Sequence, residues 1–272
     1  MLSWDEWDKV QEANPMVGAS DPYGDLADLY DSMTSDSSLQ AFYREWRDSL
    51  LEALRRYKVR SRVFVDLACG TGNATIPWSS RRGWTVVGVD RSAAMLRQAR
   101  KKSKRVRWHC QDLTRLNLKA GADVVTCHFD ALDHILVPRD LQQVFVNVAR
   151  MLNEGGLFQF DMSTEHWFRW LGSQEKLFCP GPNYLMASNE YDTKSRIATF
   201  HQLWFIPKGR LYEKRKVKVQ ERAYTSAEIR GMIKKAGLRL LRMKIQRKIE
   251  GKPARLLYLV RKPKMGKNHG PR

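Results

Sequence analysis

The run Val63-Phe64-Val65-Asp66-Leu67-Ala68-Cys69-Gly70-Thr71-Gly72-Asn73 is an apolar strand that enters a glycine-rich turn and then a segment able to open a helix. Glycines at 70 and 72 let backbone pass close to a bound molecule with no Cβ in the way. Amides at a helix start offer donors to polar or anionic groups. Twenty residues after Gly70, the apolar run Thr85-Val86-Val87-Gly88-Val89 ends in Asp90, where a carboxylate can accept two hydrogen bonds from a ribose diol. Strand, glycine turn and distant acid together describe a nucleoside site. A dinucleotide shares that spacing, but its G-x-G-x-x-G/A fingerprint is broken here by Thr75. Asp66, facing the turn, would repel a pyrophosphate and could help hold an ammonium group. Both details favour a nucleoside that carries a sulfonium amino acid.

The second group of chemically able residues follows the apolar run Ala122–His128. His128 and His134 can take a proton near neutral pH, with Asp130 and Asp133 as partners or orienters. Four cysteines, Cys69, Cys110, Cys127 and Cys179, show no CxxC spacing and no clustering with histidine. They read as reduced, structural thiols, and no metal site is expected.

The elements that must position these residues alternate: strand Arg62–Ala68, helix Asn73–Arg81, strand Thr85–Asp90, helix Ser92–Lys102, strand Arg105–Cys110, strand Ala122–His128, helix Leu141–Leu152, strand Leu157–Met162. Gly155-Gly156 reads as the stop of the Leu141–Leu152 helix. This order predicts an α/β fold with a doubly wound, Rossmann-like parallel sheet. Before it, residues 39–57 space their apolar positions as an amphipathic helix, and YGDLADLY (23–30) suggests a partly helical arm. After it come strand-prone runs at 183–191, 196–206 and 211–222, expected as an antiparallel β insertion after the fifth strand. Thr225 and Glu228 form a capping-box signature, Gly237 a stop, and 238–249 with 254–261 a hairpin about Glu250-Gly251. The expected organisation is therefore a helical arm or cap (1–58), a core (59–163 and 224–262), a capping insertion (164–223) and a basic, disordered tail (263–272).

The 272-residue chain is 43% hydrophobic and 28% charged, with no apolar run of membrane-spanning length. Its acidic, aromatic start MLSWDEWD is unlike a signal peptide. A soluble, cytoplasmic protein without membrane partners is expected. The net charge of +19 is uneven: residues 1–40 sum to −8, 41–207 to +9 and 208–272 to +18. Such an excess suits phosphates or acidic substrates. It also suits a merely solvated strand, because Lys214–Lys218 alternates with Val217 and Val219.

DLACGTGN, VVGVDRSAAML, CQDL and CHFDALDHI together resemble the class I S-adenosylmethionine-dependent methyltransferases, over roughly residues 20–262. Within them the chain is most similar to small-molecule N- and O-methyltransferases that have a tyrosine-bearing N-terminal helix and a β insertion. The resemblance implies that Asp66, Gly70 and Gly72 line the methionine moiety of S-adenosylmethionine and Asp90, beside Arg91, binds its ribose. It implies that Met95 packs on the adenine, Asp112 and the Leu113 amide read its edge, His128 sits near the transferred methyl, and Tyr23 is a further cofactor-binding residue. The product would be S-adenosylhomocysteine. Methyl transfer is an in-line displacement that positioning can accelerate without a covalent intermediate, so His128 and His134 are the catalytic candidates. Trp167, Trp170, Tyr184, His201, Trp204 and Arg222 in the insertion are the substrate-binding candidates. Enzymes that methylate nucleic-acid bases carry an Asn/Asp-Pro-Pro-aromatic motif where this chain has Cys127-His128-Phe129-Asp130. A small-molecule acceptor is therefore favoured over RNA, and a non-catalytic cofactor- or RNA-binding module is the other reading left open. A monomer or homodimer is expected.

Overall fold

The computed structural model describes residues 21–34, 37–60, 62–118, 121–172 and 174–264. The acidic start and the basic tail beyond 264 lie outside them. Five strands, β1 (Val63–Leu67), β2 (Thr85–Asp90), β3 (Arg107–Cys110), β4 (Ala122–Cys127) and β5 (Leu152–Ser163), pair in parallel in the order β3-β2-β1-β4-β5. Strands β10 (Arg239–Ile249) and β11 (Lys252–Arg261) complete the sheet, β11 antiparallel to β5 and β10 antiparallel to β11. The order reverses at β1, so the crevice beyond the carboxyl ends of β1, β2 and β4 is where a ligand fits.

Period-2 alternation divides the sheet between two cores. Val65, Val87, Val125, Phe158 and Phe160 face one side, with α4 (Pro138–Met151) and α6 (Ser226–Lys235). Phe64, Val86, Val124 and Leu157 face the other, against α2 (Ser37–Arg56) and α3 (Ala93–Lys102). The capping box at Thr225 forms as expected, with Thr225 accepting from the Glu228 amide and Glu228 accepting from the Thr225 amide.

The insertion comprises α5 (Glu165–Leu171) and a four-stranded antiparallel sheet of β6 (Glu175–Phe178), β7 (Tyr184–Asp192), β8 (Ile197–Lys208) and β9 (Leu211–Arg222). Strand β6 was not anticipated. Of the arm, residues Gly24–Leu26 form a 3-10 turn and Tyr30–Met33 the one-turn helix α1. Leu26 and Leu29 pack with Leu185, Trp204, Ile206, Val217 and Val219 on the inner face of the insertion sheet.

Two expectations are corrected. The helix over 73–81 is instead a set of turns followed by a 3-10 segment, Ile76–Ser80. The side chains that would open it are engaged elsewhere: Asn73 donates to Asp31, and Thr75 donates to Asp66. Helix α4 ends at Met151 with Leu152 as its cap, and Gly155-Gly156 lies inside β5. A Cβ on Gly156 would approach the Asn153 and Asp123 carbonyl oxygens to 2.9 and 3.1 Å, so close backbone passage accounts for that glycine. Among the described residues no helix is long and apolar enough to cross a membrane.

Candidate active site

The turn after β1 places Ala68, Gly70 and Gly72 at φ +52°, +54° and +84°. A Cβ on Gly70 would meet only the Tyr30 ring at 3.8 Å, so this residue leaves its side of the crevice open. Gly72 does not line the crevice. It abuts the Trp108 ring, which a Cβ would approach to 2.5 Å.

Asp90 ends β2 with both oxygens engaged by amides: Oδ2 accepts from Gly70 and Oδ1 from Ser92, each at 2.8 Å. Burial pushes its pKa up, against the pull of those amides. Each oxygen keeps a lone pair for a further donor. Asp66 is buried, accepting from Thr75 at 2.5 Å through Oδ2 and from Thr126 at 2.6 Å through Oδ1, and burial pushes it up to about 6. It does not line the main cleft over the turn but a smaller cavity of about 30 Å³ shared with Tyr30, Gly70 and His128.

A cleft of about 310 Å³ opens over this turn. Gly70, Asp90, Arg91 and Met95 line it from β1, β2 and α3, and Asp112 with Leu113 from the turn after β3. Tyr23, His128 and His134 close it from the arm and the β4 loop. Asp112 accepts from the Thr114 amide and hydroxyl through Oδ1 alone. These features fit a nucleoside: a carboxylate for a diol, a buried thioether for a flat ring, and an acceptor beside it for an exocyclic amine.

The two histidines differ in environment. His128 stacks on Trp46 at 4.6 Å, nearly coplanar, and its Nε2 meets Gln159 Oε1 at 3.0 Å. Gln159 uses its amide nitrogen on Ser49, so its oxygen accepts and Nε2 of His128 carries the proton. Burial pushes this histidine down to about 3. His134 contacts the Gln220 carbonyl through Nδ1 at 3.2 Å. A carbonyl only accepts, so Nδ1 carries the proton and the Nε2 lone pair accepts from the Tyr23 hydroxyl at 2.9 Å. Burial lowers its pKa as well. Neither histidine is oriented by Asp130 or Asp133, contrary to expectation. Asp130 pairs with Arg255 and Ser163, while Asp133 accepts from the Ser163 amide.

Behind His134 lies a buried acidic group. Glu221 Oε1 is 3.8 Å from His134 Nε2, and the carboxylates of Asp130, Asp133 and Glu221 have oxygens within 4.8 Å of one another. Arg255 is the guanidinium among them, pairing with Asp130 and Asp161. Asp133 Oδ1, Asp161 Oδ1 and Glu221 Oε2 are buried without a hydrogen-bond partner. Burial first, and neighbouring carboxylates after it, push Asp133 and Glu221 well above the usual range.

None of the six insertion residues expected to bind substrate lines the cleft. Trp167 and Trp170 stack on each other on α5, Trp204 is wholly buried among Leu26 and Leu29, and Tyr184 is exposed against Tyr212. His201 faces Glu190 on the outer side of the sheet, and Arg222 donates to the Leu136 carbonyl. Residue type alone suggests them, whereas strand alternation sends Trp204 to the insertion's own core and Tyr184 and His201 toward solvent, and Trp167 and Trp170 lie on a helix away from the cleft. The cleft instead uses Tyr30, Phe129 and Ile135–Val137, which sequence reasoning missed. Their signal was position, directly after the β1-facing arm and the fourth strand.

The family described as "Methyltransferase domain" matches residues 64–156. A structure of an S-adenosylmethionine-dependent methyltransferase from Clostridium acetobutylicum superposes with a TM-score of 0.77 at 26% identity, covering 89% of this chain and all of that one. The dTDP-3-amino-3,6-dideoxy-α-D-glucopyranose N,N-dimethyltransferase of Streptomyces fradiae is 31% identical over 130 residues, 48% of this chain and 50% of the relative. A malonyl-[acyl-carrier protein] O-methyltransferase of Methylovorus is 34% identical over 128 residues, 43% of this chain and 42% of the relative. The chain thus spans about half the length, or less, of these curated relatives. The matched segment contains β1, the glycine turn, Asp90 and the β4 loop, and the superposition extends over the sheet and most of the chain. Residues 64–156 match a methyltransferase domain, and the chain shares the fold of the S-adenosylmethionine-dependent methyltransferase on which it superposes.

Proposed function

We propose that the protein transfers a methyl group from S-adenosylmethionine to the nitrogen of a small amine, with an amino sugar as the first acceptor to test. Asp90 receives the ribose hydroxyls, Met95 packs on the adenine, Asp112 and the Leu113 amide take its edge, and the methionine part passes Gly70. The arm closes this cleft, and the insertion sheet packs against the arm. The bound cofactor supplies an electrophilic methyl. The acceptor nitrogen supplies its lone pair, and the proton it then loses passes to the Tyr23 hydroxyl oxygen as that hydroxyl gives its own proton to His134 Nε2.

One observation favours the first of the two chemistries found among the relatives, N-methylation of an amino sugar and O-methylation of a malonyl group. The His134 wall is backed by the buried carboxylates of Glu221, Asp130 and Asp133. A carboxylate acceptor would add to their mutual repulsion. An ammonium would offset the burial and, after it, the mutual repulsion that raise the Asp133 and Glu221 pKa values.

Calorimetric titration with S-adenosylmethionine, followed by methyl-transfer assays on matched amine and carboxylate sugars, tests the reading. We expect one-to-one binding that weakens by about 1–3 kcal/mol, tenfold or more, in Asp90→Asn, the scale of a hydrogen bond lost to a charged acceptor. Turnover is expected only with the amines. Methylation of the carboxylate series alone would refute the acceptor assignment, and unaltered affinity in Asp90→Asn would refute the ribose contact.

A further inference from the structure

After β4 the chain passes through two consecutive non-glycine residues in the left-handed region, Phe129 at φ +63° and Asp130 at φ +48°. Residues with a Cβ avoid this region because Cβ crowds the backbone carbonyl, and a bulky side chain such as Phe129 is rarer there than an aspartate. The same stretch supplies His128, Phe129, Ala131 and His134 to the cleft. Its shape must therefore be imposed by something outside it.

Arg255 on β11, which does not itself line the cleft, makes the connection. Its guanidinium donates to Asp130 through Nη2 and to Asp161 through Nη1. Asp161 Oδ2 in turn accepts from the Asp130 amide at 3.3 Å, and the Ser163 hydroxyl donates to Asp130 Oδ2 at 3.2 Å. The guanidinium carbon also lies 6.0 Å from the centre of the Phe129 ring. One buried side chain thus reaches the carboxylate of the second left-handed residue, the acceptor of that residue's amide, and the ring of the first. A buried ion pair of this kind is a poor source of net stability compared with apolar replacements, whereas it fixes direction well.

We propose that Arg255 is a positioning residue: it holds the Phe129-Asp130 turn left-handed, and so holds His128 and His134 where the acceptor and the transferred methyl meet. The inference rests on the reading of the cleft as a methyl-transfer site. It adds a residue from the far end of the chain that touches neither ligand.

The test uses the full-length chain carrying Arg255→Lys, which keeps a cation but cannot span both carboxylates, and Arg255→Ala with added guanidinium ion. With wild-type near-UV circular dichroism, Arg255→Lys should bind S-adenosylhomocysteine as the wild type does, yet lose about 100-fold in kcat, the effect of roughly a 1 Å misplacement. Guanidinium, but not equimolar sodium, should restore part of the loss in Arg255→Ala. Unchanged kcat in a folded variant overturns the proposal. So does a parallel loss of kcat and S-adenosylhomocysteine affinity without guanidinium rescue, which is what a merely structural ion pair would give. Should Arg255→Lys fail to fold, Ser163→Ala removes a milder restraint on Asp130 and must lower kcat in the same direction; no change there overturns it equally. If the wild type methylates no amine, the functional reading fails on its own. The positioning is then judged by NMR of labelled histidine rings, whose shifts for His128 and His134 must move in Arg255→Lys, or in Ser163→Ala, and refute it if they do not.

Discussion

His128 and His134 sit on the same loop, and their surroundings give them different work. His128 is held from both faces of its chemistry, by the Trp46 ring and by Gln159 Oε1, and its pKa falls to about 3. A histidine whose folded pKa lies below its unfolded value of about 6.5 supports the fold fully above pH 6.5. That support is lost as pH falls toward 3, because the unfolded chain takes up the proton first. Phenylalanine at 128 keeps the stack and abolishes the titration, but leaves Gln159 Oε1 without its donor. At pH 8 His128→Phe should therefore be less stable than the wild type by about 1–2 kcal/mol. Between pH 6.5 and 5 the gap should close, since about 1.5 pH units of linkage amount to about 2 kcal/mol. Calorimetric melting of both proteins from pH 8 to 5 checks this, and parallel curves would show that His128 is not held neutral by the fold. His134, whose Nε2 accepts from the Tyr23 hydroxyl with Glu221 Oε1 3.8 Å away, is the histidine we propose for proton transfer, by way of that hydroxyl.

At the scale of elements, the glycine turn shows what a sequence can and cannot convey. Gly70 and Gly72 look alike in a motif, and the strand before them and Asp90 after them were legible because they follow period and spacing alone. What each glycine faces depends on β3, a strand about forty residues further on, whose Trp108 closes on Gly72. The same limit hid the left-handed turn at Phe129 and Asp130, which is fastened by Arg255 from β11. It also hid the fate of the 73–81 segment, whose opening side chains are taken by Asp31 and Asp66. The two glycines should consequently fail in different ways. Gly72→Ala drives a methyl into a ring fixed by its Nε1 bond to the Ser103 carbonyl, and should cost about 2–4 kcal/mol of overpacking and left-handed strain. Gly70→Ala meets nothing closer than 3.8 Å and should cost about 1–2 kcal/mol of strain alone, while weakening S-adenosylmethionine binding much more. Urea unfolding and titration calorimetry on both variants separate the two; equal stability losses would mean that Trp108 yields freely.

Taken whole, the molecule couples its insertion to its cofactor cleft through the arm. The net charge of +19 is partly absorbed in this assembly: Arg242 pairs with Glu52, and Lys244 and Arg247 with Glu45, so β10 is tied to α2. Lys214, Lys216 and Lys218 stand exposed beside the buried Val217 and Val219, as the alternation implies. The arm is anchored twice. Leu26 and Leu29 insert against Trp204 under the insertion sheet, and Asp31 receives Thr71 at 2.6 Å, Asn73 at 3.0 Å and Lys102 at 2.7 Å at the glycine turn. Between the anchors, Tyr23 and Tyr30 form part of the cleft wall. Trp204 is wholly buried and contributes no surface to the cleft, yet its removal should be felt there. Trp204→Ala should cost about 3–5 kcal/mol locally and free the first anchor, so that residues 21–34 exchange their amide hydrogens faster. Affinity for S-adenosylhomocysteine should then fall about tenfold, equivalent to about 1.4 kcal/mol, with Trp204→Phe intermediate. Faster exchange with unchanged affinity would mean that the second anchor at Asp31 alone keeps the arm over the cleft, and the insertion would then be uncoupled from it.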